Sequence, residues 1–132
     1  MLDAEYHVCP NKSDYSAKLA ESITTEAANG PVVVFLDTKK AIKSLKEVAS
    51  ACEIPFYPVT TDVEMSNTLA IVRDKEDGIF ATLARYGRGV DVRFKKDSVV
   101  IVGYLPERME TLRQMAGRSS RTMGKHRVKL VC

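Results

Sequence analysis

The sequence predicts an α/β domain: a mostly parallel sheet with helices on both faces. Three observations carry this. The runs Val32–Leu36, Ile79–Thr82 and Ser98–Tyr104 are almost continuously apolar and rich in β-branched residues. Such runs fit strands buried on both faces, as in a parallel sheet. The segments between them carry helical periodicity and capping residues, so strands alternate with helices. A chain of 132 residues is long enough for one such domain with its own core.

Residues 5–9 read as a short leading strand. Ser13 or Asp14 is placed to cap the helix that follows. Tyr15, Leu19, Ile23 and Ala27 recur every four residues and give that helix a core-facing stripe. Asn29-Gly30-Pro31 ends it, because proline cannot continue a helix. Val32–Leu36 is the first long buried strand, and it runs into Asp37-Thr38, a cap for the next helix. That helix turns Ile42, Leu45, Val48, Ala49 and Cys52 inward and Lys39, Lys40, Lys43 and Lys46 outward.

Pro55–Val59 is extended, and its two prolines point to an edge or a strand end. Thr61 can cap a helix from Asp62 to Arg73, with Asp62 and Glu64 at its positive end and Met65, Leu69 and Val72 inward. Asp77-Gly78 turns the chain into Ile79–Thr82. After Ser98–Tyr104, Pro106 suits the first turn of another helix, whose apolar residues are Met109 and Leu112. Met123-Gly124-Lys125 is a turn, and 127–132 begins a last strand.

Hydrophobic residues make up 45% of the chain and charged residues 28%, an ordinary globular balance. No apolar run approaches a bilayer span, and no secretory signal is visible at the N-terminus. Cys9, Cys52 and Cys132 are odd in number and widely spaced. That argues against a disulfide framework or a zinc site and for a reducing cytoplasm or nucleus. Neither His7 nor His126 lies in a metal-ligand spacing or beside a nucleophile motif.

The net charge of +3 hides an asymmetry: residues 1–84 hold 8 Lys/Arg against 13 Asp/Glu, and residues 85–132 hold 12 against 4. A basic half suggests a face for polyanions, either nucleotide phosphates or a nucleic-acid backbone. Two stretches in that half have chemistry to match. Gln114-Met115-Ala116-Gly117-Arg118-Ser119-Ser120-Arg121 places Gln114, Arg118 and Arg121 at helical spacing on one face. Gly117 opens close approach there, and the arginines present planar forks for phosphate oxygens. Upstream, Ala81-Thr82 leads through a short spacer to Arg88-Gly89-Val90-Asp91. Glycines let backbone amides reach a phosphate, Thr82 offers a hydroxyl at a strand's C-terminal end, and Asp91 can accept from a ribose hydroxyl.

The Gln114–Arg121 stretch resembles motif VI of the superfamily-two helicases and translocases, the DExH, DEAD-box and SecA-like group. Residues 81–91 resemble motif V, and 32–40 the motif IV region. The resemblance covers roughly residues 30 to 132 and implies the second of that family's two RecA-like domains. It implies Arg118 and Arg121 as arginine fingers, and Gln114, Gly89 and Asp91 as ATP contacts. It implies Thr82, Arg88, Asp37, Thr38 and Lys39 as nucleic-acid contacts, and no metal ligand. The spacer in the motif V stretch, Leu83 to Gly87, is one residue longer than the family's usual spacer.

The chain holds no Gly-x-x-x-x-Gly-Lys-[Ser/Thr] loop and no Asp-Glu-x-Asp/His after an apolar strand. ATP with Mg2+ is therefore expected to sit mainly on an N-terminal RecA-like domain of the same protein. The isolated domain, a monomer, is expected to hold no cofactor and to hydrolyse no ATP by itself. Two alternatives stay open. One is a stand-alone, non-catalytic RecA-like module that binds nucleic acid or another ATPase. The other is part of a SecA-like translocase, since the leading Gln114 matches DExH and SecA-type proteins and a polypeptide is then as good a track as RNA or DNA.

Overall fold

A computed structural model describes residues 2–7, 9, 11–86, 91–103 and 126–131. Its elements are β1 (Leu2–His7), α1 (Lys12–Ala27), β2 (Val32–Leu36), α2 (Lys39–Ala51), β3 (Phe56–Val59), α3 (Asp62–Val72), β4 (Ile79–Leu83), a single 3-10 turn (Ala84–Tyr86), β5 (Val99–Val102) and β6 (His126–Val131). Among the described residues, six strands form one sheet in the order β1-β6-β5-β2-β4-β3. Every pairing is parallel. The leading strand lies at 2–7 rather than 5–9, and it is an edge strand paired to β6.

The sheet is buried on both sides because its central strands are apolar at consecutive positions. Val32, Val34, Leu36, Ile79, Ala81 and Ile101 pack with Ile23 of α1 and Ile42, Leu45 and Ala49 of α2. The alternate residues Val33, Phe35, Phe80, Val100 and Val102 pack with Met65 and Val72 of α3. Helices thus cover both faces, with α1 and α2 on one and α3 on the other. Val92 and Phe94, each 1% exposed, complete the α3 side from a segment that is neither helix nor strand.

The caps explain where the helices begin. Asn11, not Ser13 or Asp14, caps α1, and its side-chain oxygen accepts from the Asp14 amide at 2.9 Å. Thr38 caps α2 by accepting from the Ala41 amide at 3.1 Å, and Thr61 caps α3 by accepting from the Glu64 amide at 3.2 Å. Glu64 reaches back, accepting from the Thr60 amide and hydroxyl at 2.9 Å each, a variant of the capping box. Those donors, the Thr60 amide first, hold the Glu64 carboxyl below the ordinary carboxylate range.

The end of α2 corrects one expectation. Cys52 is exposed, not inward, because the helix stops at Ala51 and Cys52 is its C-cap. Glu53 then takes φ 56, and the amides of Glu53 and Ile54 donate to the carbonyls of Ser50 (3.2 Å) and Ala49 (2.9 Å). This is a Schellman closure with glutamate in the position glycine usually holds. Among the described residues, proline-containing β3 pairs with β4 alone, the edge position expected from Pro58.

Two glycines are required by their neighbours. Gly78 has φ +115, and a Cβ there would lie 2.7 Å from the Tyr57 ring. At the end of β5, a Cβ on Gly103 would lie 2.6 Å from Leu36 Cδ2. The Gly103 amide donates to the Phe35 carbonyl at 2.9 Å, and its own carbonyl accepts from the Tyr15 hydroxyl. Gly103 therefore ties α1, β2 and β5 together at the C-terminal edge of the sheet.

Candidate nucleic-acid and nucleotide interface

In open parallel sheets, ligands bind beyond the carboxyl ends of the strands, where neighbouring strands send their connections to opposite faces. Here that point lies between β2 and β4, which pair along their whole length. From β2 the chain passes through Asp37 and Thr38 into α2 on one face. From β4 it passes through Ala84–Tyr86 toward Val92 and Phe94 on the other. The crevice is thus flanked by Asp37, Thr38 and Lys39 on one side and by Arg85 and Tyr86 on the other.

Asp37, Thr38 and Lys39 are all exposed at this edge. The Thr38 side-chain oxygen already caps α2, so its hydroxyl hydrogen is what it can still offer a ligand. The exposed start of α2 adds the backbone amides of its first turn and the positive end of the helix dipole. These are groups that accommodate an oxyanion.

On the β4 side, a polar cluster fixes the exit of the strand. Tyr86 donates its hydroxyl to Asp62 Oδ1 at 2.7 Å. Arg85 Nη2 donates to the Thr60 carbonyl and to the Tyr86 hydroxyl, each at 3.0 Å. The Arg85 guanidinium also sits 4.8 Å from the Tyr86 ring centroid, within cation–π range. The bond to Asp62 holds the Tyr86 phenol above its ordinary pKa. The cluster joins the turn after β4 to the start of α3. Tyr86 gave no signal in the sequence; Thr60, Asp62 and Arg85 are ordinary capping and surface residues until the fold brings them together.

Thr82 is a correction. It is fully buried, and its hydroxyl donates to the Val59 carbonyl at 3.0 Å across the β3–β4 pair. Alternation along β4 turns its side chain toward the α3 face, so it presents nothing at the strand's end to nucleic acid. Asp91 is exposed, and its Oδ1 lies 2.7 Å from Arg93 Nε. Arg88, Gly89, Gln114, Arg118 and Arg121 lie outside the described residues. Among the described residues, no three His, Cys, Asp or Glu side chains converge as a metal site. No helix among them is long and apolar enough to cross a membrane.

Beside Asp37 and Thr38 a cleft of about 550 Å³ opens between α1 and α2. Tyr15, Leu19, Lys40, Ser44 and Val48 line it, and Gly103 forms its end nearest the sheet.

No family model and no curated protein matches this chain. Solved structures do. The C-terminal domain of the DEAD-box protein Dbp5 superposes with a TM-score of 0.76 at 21% identity, covering 98% of this chain and 74% of that one. The E. coli DEAD-box protein SrmB, solved with the regulator of ribonuclease activity A, gives 0.74 at 17% identity, covering 99% of this chain and 78% of that one. Prp28 from Chaetomium thermophilum, an RNA helicase solved with ADP, gives 0.70 at 22% identity over 98% of this chain and 32% of that one. The chain thus has the RecA-like fold of helicase C-terminal domains. It spans about three quarters of the first two structures and about a third of the Prp28 chain.

Proposed function

We propose that this chain is the second RecA-like motor domain of an ATP-dependent helicase or translocase acting on nucleic acid. The observation that carries the reading is a coincidence of place. The motif IV residues Asp37, Thr38 and Lys39 and the start of the motif V loop flank one crevice at the topological switch point. In this reading Asp37, Thr38, Lys39 and Arg88 contact the track, and the buried Thr82 holds β4 to β3 instead. Gly89, Asp91 and Gln114 face ATP, and Arg118 and Arg121 reach its γ-phosphate as fingers. An N-terminal RecA-like domain of the same protein supplies the phosphate loop, Mg2+ and the water-activating acid. The protein works in a reducing compartment, which fits the free thiols Cys9 and Cys52.

Titration of labelled single-stranded RNA and DNA at several salt concentrations tests this. Binding is expected to weaken steeply with salt, because phosphate contacts release counterions. Lys39→Ala and Arg88→Ala should each weaken it. Binding that ignores salt, or its absence even at low salt, would overturn the nucleic-acid track and favour a polypeptide.

A further inference from the structure

Half of the 8 basic residues in the acidic stretch 1–84 stand on one helix, α2, as Lys39, Lys40, Lys43 and Lys46. All four are exposed. Among the described residues none of them forms an ion pair, although Glu47 lies on the same helix. Four like charges within two turns repel one another and set up a positive potential that suits a counter-charge outside the domain.

Their arrangement is directional. Lys39, Lys43 and Lys46 recur at i, i+4 and i+7 and share one face. By helical geometry that face lies on the flank away from the cleft lined by Lys40, Ser44 and Val48. The stripe starts at the exposed N-terminus of α2, at the edge of the crevice, and descends roughly 10 Å along the helix. From this we infer that Lys43 and Lys46 form a ramp continuing the track, along which the phosphodiester backbone runs after it leaves the crevice at Lys39. This rests on the nucleic-acid reading above.

The chemistry favours phosphates over an acidic protein surface. The exposed residues on this flank are Lys39, Lys43, Lys46, Glu47 and Ser50, with no apolar or aromatic side chain among them. Protein interfaces take their affinity from buried aromatic and aliphatic anchors at their centre. A row of point charges without anchors suits a regularly charged backbone, whose binding is mainly counterion release.

The test compares two labelled oligouridylates, one of about six nucleotides and one of about twenty, a range that brackets a single-domain site. The protein is the full chain, as wild type and as the Lys43→Ala/Lys46→Ala double variant, with a thermal melt as folding control. The variant should bind the short oligonucleotide as wild type does. It should bind the long one more weakly, and the slope of log affinity against log salt should shrink by roughly 1.4, two phosphate contacts' worth for a single strand. An unchanged slope on the long oligonucleotide overturns the ramp while leaving the track reading in place. Equal loss on both lengths also overturns it, since the stripe would then be the whole site rather than a continuation. If wild type binds neither oligonucleotide, the track reading fails and the ramp with it. If labelled polyglutamate binds wild type more tightly than the long oligonucleotide and the variant loses it, the partner is an acidic polypeptide and the inference is wrong.

Discussion

The Tyr86 hydroxyl donates to Asp62 Oδ1 at 2.7 Å and so binds the turn after β4 to the first residue of α3. The bond requires a protonated phenol, and it raises the Tyr86 pKa above its ordinary value, with Arg85 partly offsetting the rise. The sign follows from linkage. A raised folded pKa means the contribution is fully present below the unfolded tyrosine pKa and is lost as pH rises through the folded one. Thermal melts should therefore show wild type losing its advantage over Tyr86→Phe as pH climbs through about 10 and above. An advantage that stays constant across that window would show that the hydroxyl bond contributes nothing.

Thr82→Val separates the buried role of this residue from a role at the track. The substitution removes the donor to the Val59 carbonyl. It should lower stability by about 1 kcal/mol, the usual net worth of such a bond. Affinity for single-stranded RNA should not change, because the side chain is 0% exposed. Chemical denaturation and a titration on the same sample check both halves. A variant of normal stability with weakened RNA binding would restore Thr82 to the track.

Much of this fold could be read from the sequence because its strands are buried on both faces. Val32–Leu36 and Ile79–Leu83 are apolar at every or nearly every position, and short runs of that kind suit a strand covered on both sides. The threonine caps of α2 and α3 were readable for a similar reason, since capping is local chemistry. Asn11 was harder, because Ser13 and Asp14 beside it have the same capacity. The 91–98 segment was obscured by its charges: Arg93, Lys95 and Lys96 surround Val92 and Phe94, and only the fold shows these two inside the core. The site was partly readable through its spacing. Burial of Thr82 and the tie between Tyr86 and Asp62 depend on strand register and on the position of α3, which no local pattern encodes.

Glu53 offers a stabilising change. Its φ of 56 lies in the left-handed region, which costs a residue with a Cβ about 1–2 kcal/mol. The Schellman hydrogen bonds need that conformation, and glycine adopts it without penalty. Glu53 is exposed, so the side chain gives up little packing when removed. Glu53→Gly should raise stability by about 1 kcal/mol, less whatever glycine adds to the entropy of the unfolded chain. A denaturant midpoint at or below wild type would show that the unfolded-state cost wins.

Gly103 and Leu36 should show strong coupling. A methyl at Gly103 would stand 2.6 Å from Leu36 Cδ2, inside a fully buried contact. Gly103→Ala should cost about 1–3 kcal/mol by overpacking. Leu36→Ala should cost about 2–5 kcal/mol by leaving a cavity. The double variant should cost clearly less than the two together, because the new methyl enters the space the leucine leaves. Additive losses in a denaturation cycle would mean that Gly103 is needed for its backbone alone.

The proposed role of the arginines is testable in a protein that joins this chain to an N-terminal RecA-like domain, as the proposed function requires. Arg118 and Arg121 stand three apart in a stretch that resembles motif VI. In the proposed finger role an arginine keeps its charge in a closing cleft, where a lysine could lose its proton. An arginine that meets the γ-phosphate mainly in the transition state should affect turnover far more than nucleotide affinity. Arg121→Ala should therefore slow ATP turnover by roughly a thousandfold or more and change the affinity for ATP much less. Phosphate release under saturating ATP, together with a nucleotide titration, separates the two effects. A thermal melt of the 132-residue chain carrying the same change is the control, because an arginine reserved for ATP contributes little to folding. A melt that collapses would make Arg121 structural. Unchanged turnover with an intact melt would leave Arg118 as the finger.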